Sequence, residues 1–246
     1  MKYKPYIPYI IFFAFYFLFV GLLAQAQPKS DLPANDIERG VFVHYPHAKG
    51  QAGGGSATGD QVNDYKYSGI HWSGQTPTVN YKINPVNSLG LLEPEITTTV
   101  ESAFQEWMNN NPADSKYIRF VDTGLTDLDT PANPTSDGVN TVSFEPLNSA
   151  YPNAIAITFF WYSRGSKTLI ETDTVFNSDL PWSTSGDFAS YDLQNIATHE
   201  FGHWLVLGDL YSLRDSALTM YGYGGLGETS KRDLGRGDIT GINKIY

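Results

Sequence analysis

The segment His199-Glu200-Phe201-Gly202-His203-Trp204-Leu205-Val206-Leu207-Gly208-Asp209 decides how this chain reads. Side chains four apart lie one above the other on a helix face, so the imidazoles of His199 and His203 can reach a single cation. Glu200 projects beside that cation without having to bind it, placed to take a proton from a water held there. Asp209 follows six residues after His203, far enough for the chain to turn back and bring a third ligand. Three protein ligands with an open fourth position describe a catalytic zinc, whereas a structural zinc is closed by four. Upstream, Leu193, Ile196 and Ala197 recur at helical spacing, so a helix carries the motif. The same five-residue string also arises from composition alone, as two solvated histidines on an amphipathic helix. Context matters here: the chain has five histidines in 246 residues, and two of them take this spacing.

A hydrophobic content of 41% with 14% aromatics is enough for one good core. There are no cysteines, which removes disulfides, thiol nucleophiles, cysteine-rich zinc sites and any cysteine-based latency switch. A net charge of -10 argues against phosphate-backbone binding, so nucleic acid is excluded as a partner. Met1-Lys2-Tyr3-Lys4 is a basic start, Tyr9 to Leu23 is an apolar run, and Ala24-Gln25-Ala26 has the small-x-small form of a cleavage site. Residues 1–26 therefore read as a secretory signal cut after Ala26, giving a secreted, extracellular chain with no stable membrane anchor once the signal is removed. The apolar run is short of the roughly 20 residues a membrane span prefers, and an uncleaved anchor is the alternative.

Residues 27–69 read as an N-terminal extension and linker, flexible across the Gly-rich run from Gln51 to Gly59. Within it Val41-Phe42-Val43-His44-Tyr45 is a short strand suited to a sheet edge. The main domain spans residues 70–246, with His71 beside Trp72 packing at its start. Five strands are expected: Val79 to Ile83, Tyr117 to Val121, Thr141 to Phe144, Ala154 to Tyr162 and Thr168 to Phe176. Three helices are expected: one from about Pro94 to Asn110, the motif helix, and a last one capped by Asp238 with Ile239, Ile242 and Ile245 facing the core. The fold class is α/β (α+β), a twisted mixed five-stranded sheet with three helices. Asp127, Asp129 and Asp137 lie in an acidic loop that could hold calcium, although loops are commonly acidic.

The motif helix, a methionine in the tight turn Ala217-Leu218-Thr219-Met220-Tyr221, the segment Thr172 to Asn177 with Pro181-Trp182-Ser183-Thr184, and Asp238-Ile239-Thr240-Gly241-Ile242 together resemble metzincins. Among these the chain is most similar to microbial matrixin-type peptidases (peptidase family M10), over roughly residues 70–246. The resemblance implies a secreted zinc endopeptidase, one zinc on His199, His203 and Asp209, and Glu-assisted attack of a zinc-bound water through Glu200. It also implies Met220 as a hydrophobic floor beneath the ligands, and Tyr221-Gly222-Tyr223 lining the pocket for the residue after the scissile bond. The strand from Ala154 to Tyr162 becomes the edge on which an extended protein or peptide substrate adds. The expected enzyme is a monomer.

Two positions depart from the family pattern His-Glu-x-x-His-x-x-Gly-x-x-His/Asp. Val206 stands where the pattern has glycine, and a β-branched residue at positive φ costs roughly 1–2 kcal/mol. Gly208, two residues on, is a second candidate for that turn. Asp209 replaces the commoner histidine and is an acceptable zinc ligand. An inactive metal-bearing binding or adhesion module on the same fold stays open as an alternative, as does a hydrolase whose third ligand is Glu228. A segment ahead of such a domain also invites latency, with His44 or His47 over the metal; a packed strand explains those residues equally well.

Overall fold

In Thr78-Val79-Asn80-Tyr81-Lys82-Ile83 apolar residues alternate with polar ones, and Val79, Tyr81 and Ile83 are buried together on one face. The computed structural model describes residues 36–47, 61–111, 116–131 and 133–246; residues 1–26, read above as a signal, and the Gly-rich run lie outside the described residues. In chain order the elements are β1 (Ile37–Pro46), β2 (Lys66–Tyr67), β3 (Thr78–Ile83), α1 (Glu93–Asn109), β4 (Arg119–Leu125), β5 (Asn140–Glu145), β6 (Ala156–Ser163) and β7 (Leu169–Asn177). Then follow β8 (Trp182–Ser183), β9 (Tyr191–Asp192), α2 (Leu193–His203), β10 (Leu207–Gly208), β11 (Tyr223–Gly224) and α3 (Arg236–Ile245).

The main sheet has the order β11-β1-β6-β7-β5-β3-β4. Strands β3, β4, β5 and β7 are parallel, and β6 runs antiparallel to β7. This is the mixed α/β sheet with three helices that the sequence leads one to expect, but with seven strands in place of five. Both additions lie beyond β6, where β1 pairs antiparallel with β6 and β11 pairs parallel with β1. Five strands alone would leave the β6 edge with unpaired N–H and C=O groups, and an apolar strand within reach fills such an edge.

Two boundaries also move. Pairing with β3 carries β4 past Val121 as far as Leu125. The last helix starts at Arg236 behind Gly235, so Asp238 caps it from the first turn, its carboxylate accepting the Gly235 N–H.

The apolar stripe of α1 (Ile96, Val100, Ala103, Phe104, Trp107) is buried against the sheet and α2. Phe104 stacks on Phe201 with ring centroids 3.6 Å apart, and Trp107 Nε1–H donates to Thr198 O at 2.8 Å. Those contacts fasten the motif helix to α1. A second, smaller cluster on the far side of the sheet joins Leu147, Ile157, Phe159, Trp161 and Val175, so β6 and β7 are covered on both faces. Residues 66 and 67, assigned to the linker by the sequence reading, pair as β2 with β10. No helix among the described residues is long and apolar enough to cross a membrane.

Candidate metal centre and active site

Helix α2 begins where the Asp192 carboxylate accepts the Asn195 N–H at 2.9 Å. Arg232 grips the same carboxylate with Nε at 2.8 Å and Nη2 at 2.5 Å, a bidentate pair that fixes the helix start. His199, Glu200 and His203 are all fully buried on it. His199 Nδ1 donates to Thr219 O and His203 Nδ1 to Leu207 O, both at 2.7 Å. A carbonyl only accepts, so each ring carries its proton on Nδ1 and a bare lone pair on Nε2.

Those lone pairs converge on Asp209, whose Oδ1 lies 3.1 Å from His199 Nε2 and 3.4 Å from His203 Nε2. Among the described residues none of these three atoms has a hydrogen-bond partner. Buried acceptors facing one another without a proton are costly, and a cation between them removes the cost. Burial pushes His199 down to about 4, which keeps the ring neutral, as a ligand must be. Burial would lower His203 and raise Asp209, but each holds the other toward its charged form, so a proton on His203 competes with a cation for this space. Two imidazole nitrogens and one carboxylate oxygen make a donor set that fits zinc.

The turn that delivers Asp209 runs through Val206, which adopts φ 53 while Gly208 has no positive φ. The strained residue is therefore Val206, and Gly208 serves in β10 instead. Val206 is only 1% exposed within the core. Burying a valine side chain contributes about 1.5–3 kcal/mol, enough to offset roughly 1–2 kcal/mol of strain. Val206→Ala keeps much of the strain and loses packing, so urea unfolding is expected to show a loss of about 1–2 kcal/mol. Val206→Gly should cost no more than that, although glycine for alanine ordinarily removes about 1 kcal/mol further. A glycine variant clearly weaker than the alanine one would rule out the positive φ in solution. Beyond the turn, Lys66 Nζ holds the Asp209 backbone carbonyl at 2.6 Å, and Tyr211 donates to Asp209 Oδ2 at 3.2 Å.

The turn around Met220 is set by Asp238, one of the residues whose role the sequence reading missed. Its carboxylate accepts N–H bonds from Thr219 (2.7 Å), Met220 (3.0 Å) and Gly235 (2.9 Å). Gly202 explains the close fit beneath the helix, since a Cβ there would lie 2.2 Å from Met220 Sδ. Met220 itself is buried. Tyr221 is buried, Gly222 lets Tyr211 and Asp209 come close, and Tyr223 begins β11.

Glu200 points to β6, where Thr158 Oγ1 donates to its Oε2 at 2.6 Å. Trp204 Nε1–H donates to Thr174 Oγ1 at 2.9 Å, and the two threonine hydroxyls are 2.8 Å apart. An indole N–H can only donate, so the hydroxyls relay toward Glu200 and set the carboxylate's position. Burial raises the Glu200 carboxyl, with His203, His199 and Thr158 opposing it. Only the alternation of β6 and β7 could have hinted at Thr158 and Thr174.

The remaining candidates lie apart. Asp129 accepts at 2.8 Å from Nδ2 of Asn84, in the loop after β3, and Asp137 accepts the Val139 N–H at 2.8 Å within its own loop. Among the described residues, the groups of three able to close on one ion are His199, His203 and Asp209, and His44, His199 and Glu200. Neither includes Glu228, which accepts the Gly225 N–H at 3.1 Å.

Residues 71–246 match the family model described as matrixin, and the chain belongs to the matrixin family. It is 30% identical over 156 residues to the neutrophil collagenase of Homo sapiens, covering 63% of this chain and 30% of that protein. It is 26% identical over 194 residues to the metalloendoproteinase 1-MMP of Arabidopsis thaliana, covering 75% of this chain and 49% of that one. The chain thus spans half or less of the length of these relatives.

Proposed function

We propose that this chain is a secreted zinc endopeptidase, with His199, His203 and Asp209 as metal ligands and Glu200 as the general base. One observation carries the reading: three unprotonated, buried donor atoms converge beside a carboxylate that two threonines orient. Zinc bound there would supply Lewis acidity, polarising the scissile carbonyl and making water easier to deprotonate. Glu200 takes the proton of the attacking water and hands it to the departing amine as the peptide C–N bond breaks. The raised Glu200 carboxyl suits a group that must both accept and return a proton near neutrality. The wall at Tyr221, Gly222 and Tyr223 contacts the residue after the scissile bond, whereas β6, expected to be the free edge for an extended substrate, is itself paired with β1 from Ala156 to Ser163.

The test is zinc analysis of the purified chain together with casein cleavage in the presence and absence of a chelator. About one zinc per chain and chelator-sensitive cleavage are expected. A chain that binds no zinc would sink the reading, and zinc without cleavage under any condition would favour the inactive binding module.

A further inference from the structure

Among the described residues Lys231 is the one lysine or arginine that is buried, at 0% exposure. A charge this deep needs acceptors around it. Its Nζ donates to the Tyr223 carbonyl, stands 3.4 Å from the Glu228 carboxylate and lies 5.4 Å from the centre of the Tyr221 ring. Burial draws the ammonium down from the ordinary lysine value, and Glu228 opposes that. These contacts place it behind the wall assigned above to the residue after the scissile bond. Asn195 stands beside it, one turn before His199 on the same face of α2, and its Oδ1 accepts the Lys231 N–H at 2.7 Å. That bond fixes which way the amide points and leaves Nδ2 a buried donor with no partner among the described residues.

The His44 ring marks the space that these groups close off. It packs on His199 with ring centroids 3.9 Å apart. A Cβ on Gly224 would meet His44 Nε2 at 3.1 Å, Ile196 Cδ1 at 3.0 Å and Ile155 Cδ1 at 3.3 Å, so the glycine keeps this space open. His44 Nδ1 donates to Glu200 Oε1 at 3.2 Å, which leaves a bare lone pair on Nε2. That nitrogen is buried and has no partner among the described residues. Burial and then the Lys231 charge push the ring down to about 3, so the ammonium faces it. An acceptor points inward here and stops short of two donors.

We propose that Lys231 and Asn195 form a donor floor that makes this subsite select, after the scissile bond, a side chain ending in an acceptor oxygen, glutamine foremost. This rests on the peptidase reading of the site. The glutamine carbonyl accepts from Asn195 Nδ2 or Lys231 Nζ, and its amide N–H donates to the Tyr223 carbonyl or the Glu228 carboxylate. Leucine in the same place leaves the Asn195 donor buried and unpaired. Lysine brings a second ammonium beside the first. Glutamate gains from Lys231 but meets Glu228, which already balances that charge, so the neutral amide fits better.

Three quenched fluorogenic peptides differ only in carrying glutamine, leucine or lysine after the bond that is cut, which mass spectrometry locates. They are given to the full, zinc-loaded chain, to Lys231→Met and to Asn195→Asp. The aspartate keeps an acceptor for the Lys231 N–H and replaces only the free donor, so it tests the floor even if Lys231→Met does not fold. Binding of the same peptides to Glu200→Gln protein is followed by fluorescence anisotropy. Because β1 is paired along β6, every peptide meets the same obstacle, and it cancels from the ratios. The native kcat/KM is expected to be about tenfold higher for glutamine than for leucine, and lower still for lysine. In each variant the glutamine-to-leucine ratio should fall to near one, and Asn195→Asp should gain on the lysine peptide. An unchanged ratio in Asn195→Asp, a native preference for leucine or lysine, or failure of all three peptides to bind would overturn the proposal. Binding that favours glutamine with no hydrolysis by the native chain would uphold the subsite while refuting the peptidase reading, so the two failures are told apart.

Discussion

Glu200→Gln is expected to lower kcat by about 10²–10⁴ while leaving zinc content and KM nearly unchanged. Glutamine keeps the shape of the side chain and still accepts the Thr158 hydroxyl hydrogen bond at its carbonyl oxygen, so the 2.6 Å contact has a successor. What is lost is a group able to take a proton from water and return it to the amine. The residue is not among the three atoms that face one another at the metal centre, so the metal should stay. A glutamine variant retaining more than about a tenth of the parent kcat would exclude Glu200 as the base. A variant that also lost zinc would show that Glu200 shapes the metal centre and not only the proton transfer.

The second large effect is on stability. Without a cation, His199 Nε2, His203 Nε2 and Asp209 Oδ1 present lone pairs to one another in a buried space. A ligand at about a thousand times its Kd stabilises the folded state by about 4 kcal/mol. For a domain of this size each kcal/mol shifts Tm by about 2–4 °C, so saturating zinc is expected to raise Tm by about 8–16 °C. Calorimetry of chelated and reloaded protein measures this directly. Asp209→Ala should remove most of the zinc-dependent rise. If that variant kept the full rise, Asp209 would not be a ligand, and the three-residue centre would have to be redrawn.

The local parts of the site were legible in the sequence because they depend on spacing along one helix. His199, Glu200 and His203 follow from the 3.6-residue period, and the apolar positions of α1 and β3 follow from theirs. Val206 at positive φ was expected from the resemblance, because the family pattern has glycine at that place, and not from spacing alone. What makes that strain affordable was not readable, because it is the burial of the valine side chain among residues distant in sequence. Asp238 shows the same limit in another form. Its helix was expected, but its bonds reach 18 and 19 residues back to the Met220 turn, and no period encodes that.

By itself, then, the sequence determined the residue types of the candidate site, two imidazoles and two carboxylates, and a mixed sheet with three helices. Those are properties of residue type and short-range periodicity. Only the tertiary structure decided what pairs along the β6 edge. The β6 edge and β1 are separated by more than a hundred residues, and pairing between them is selected by unmet backbone hydrogen bonds and by side-chain fit. Gly40 under Phe160 and His44 against Glu200 are contacts of that kind, invisible until the chain is folded.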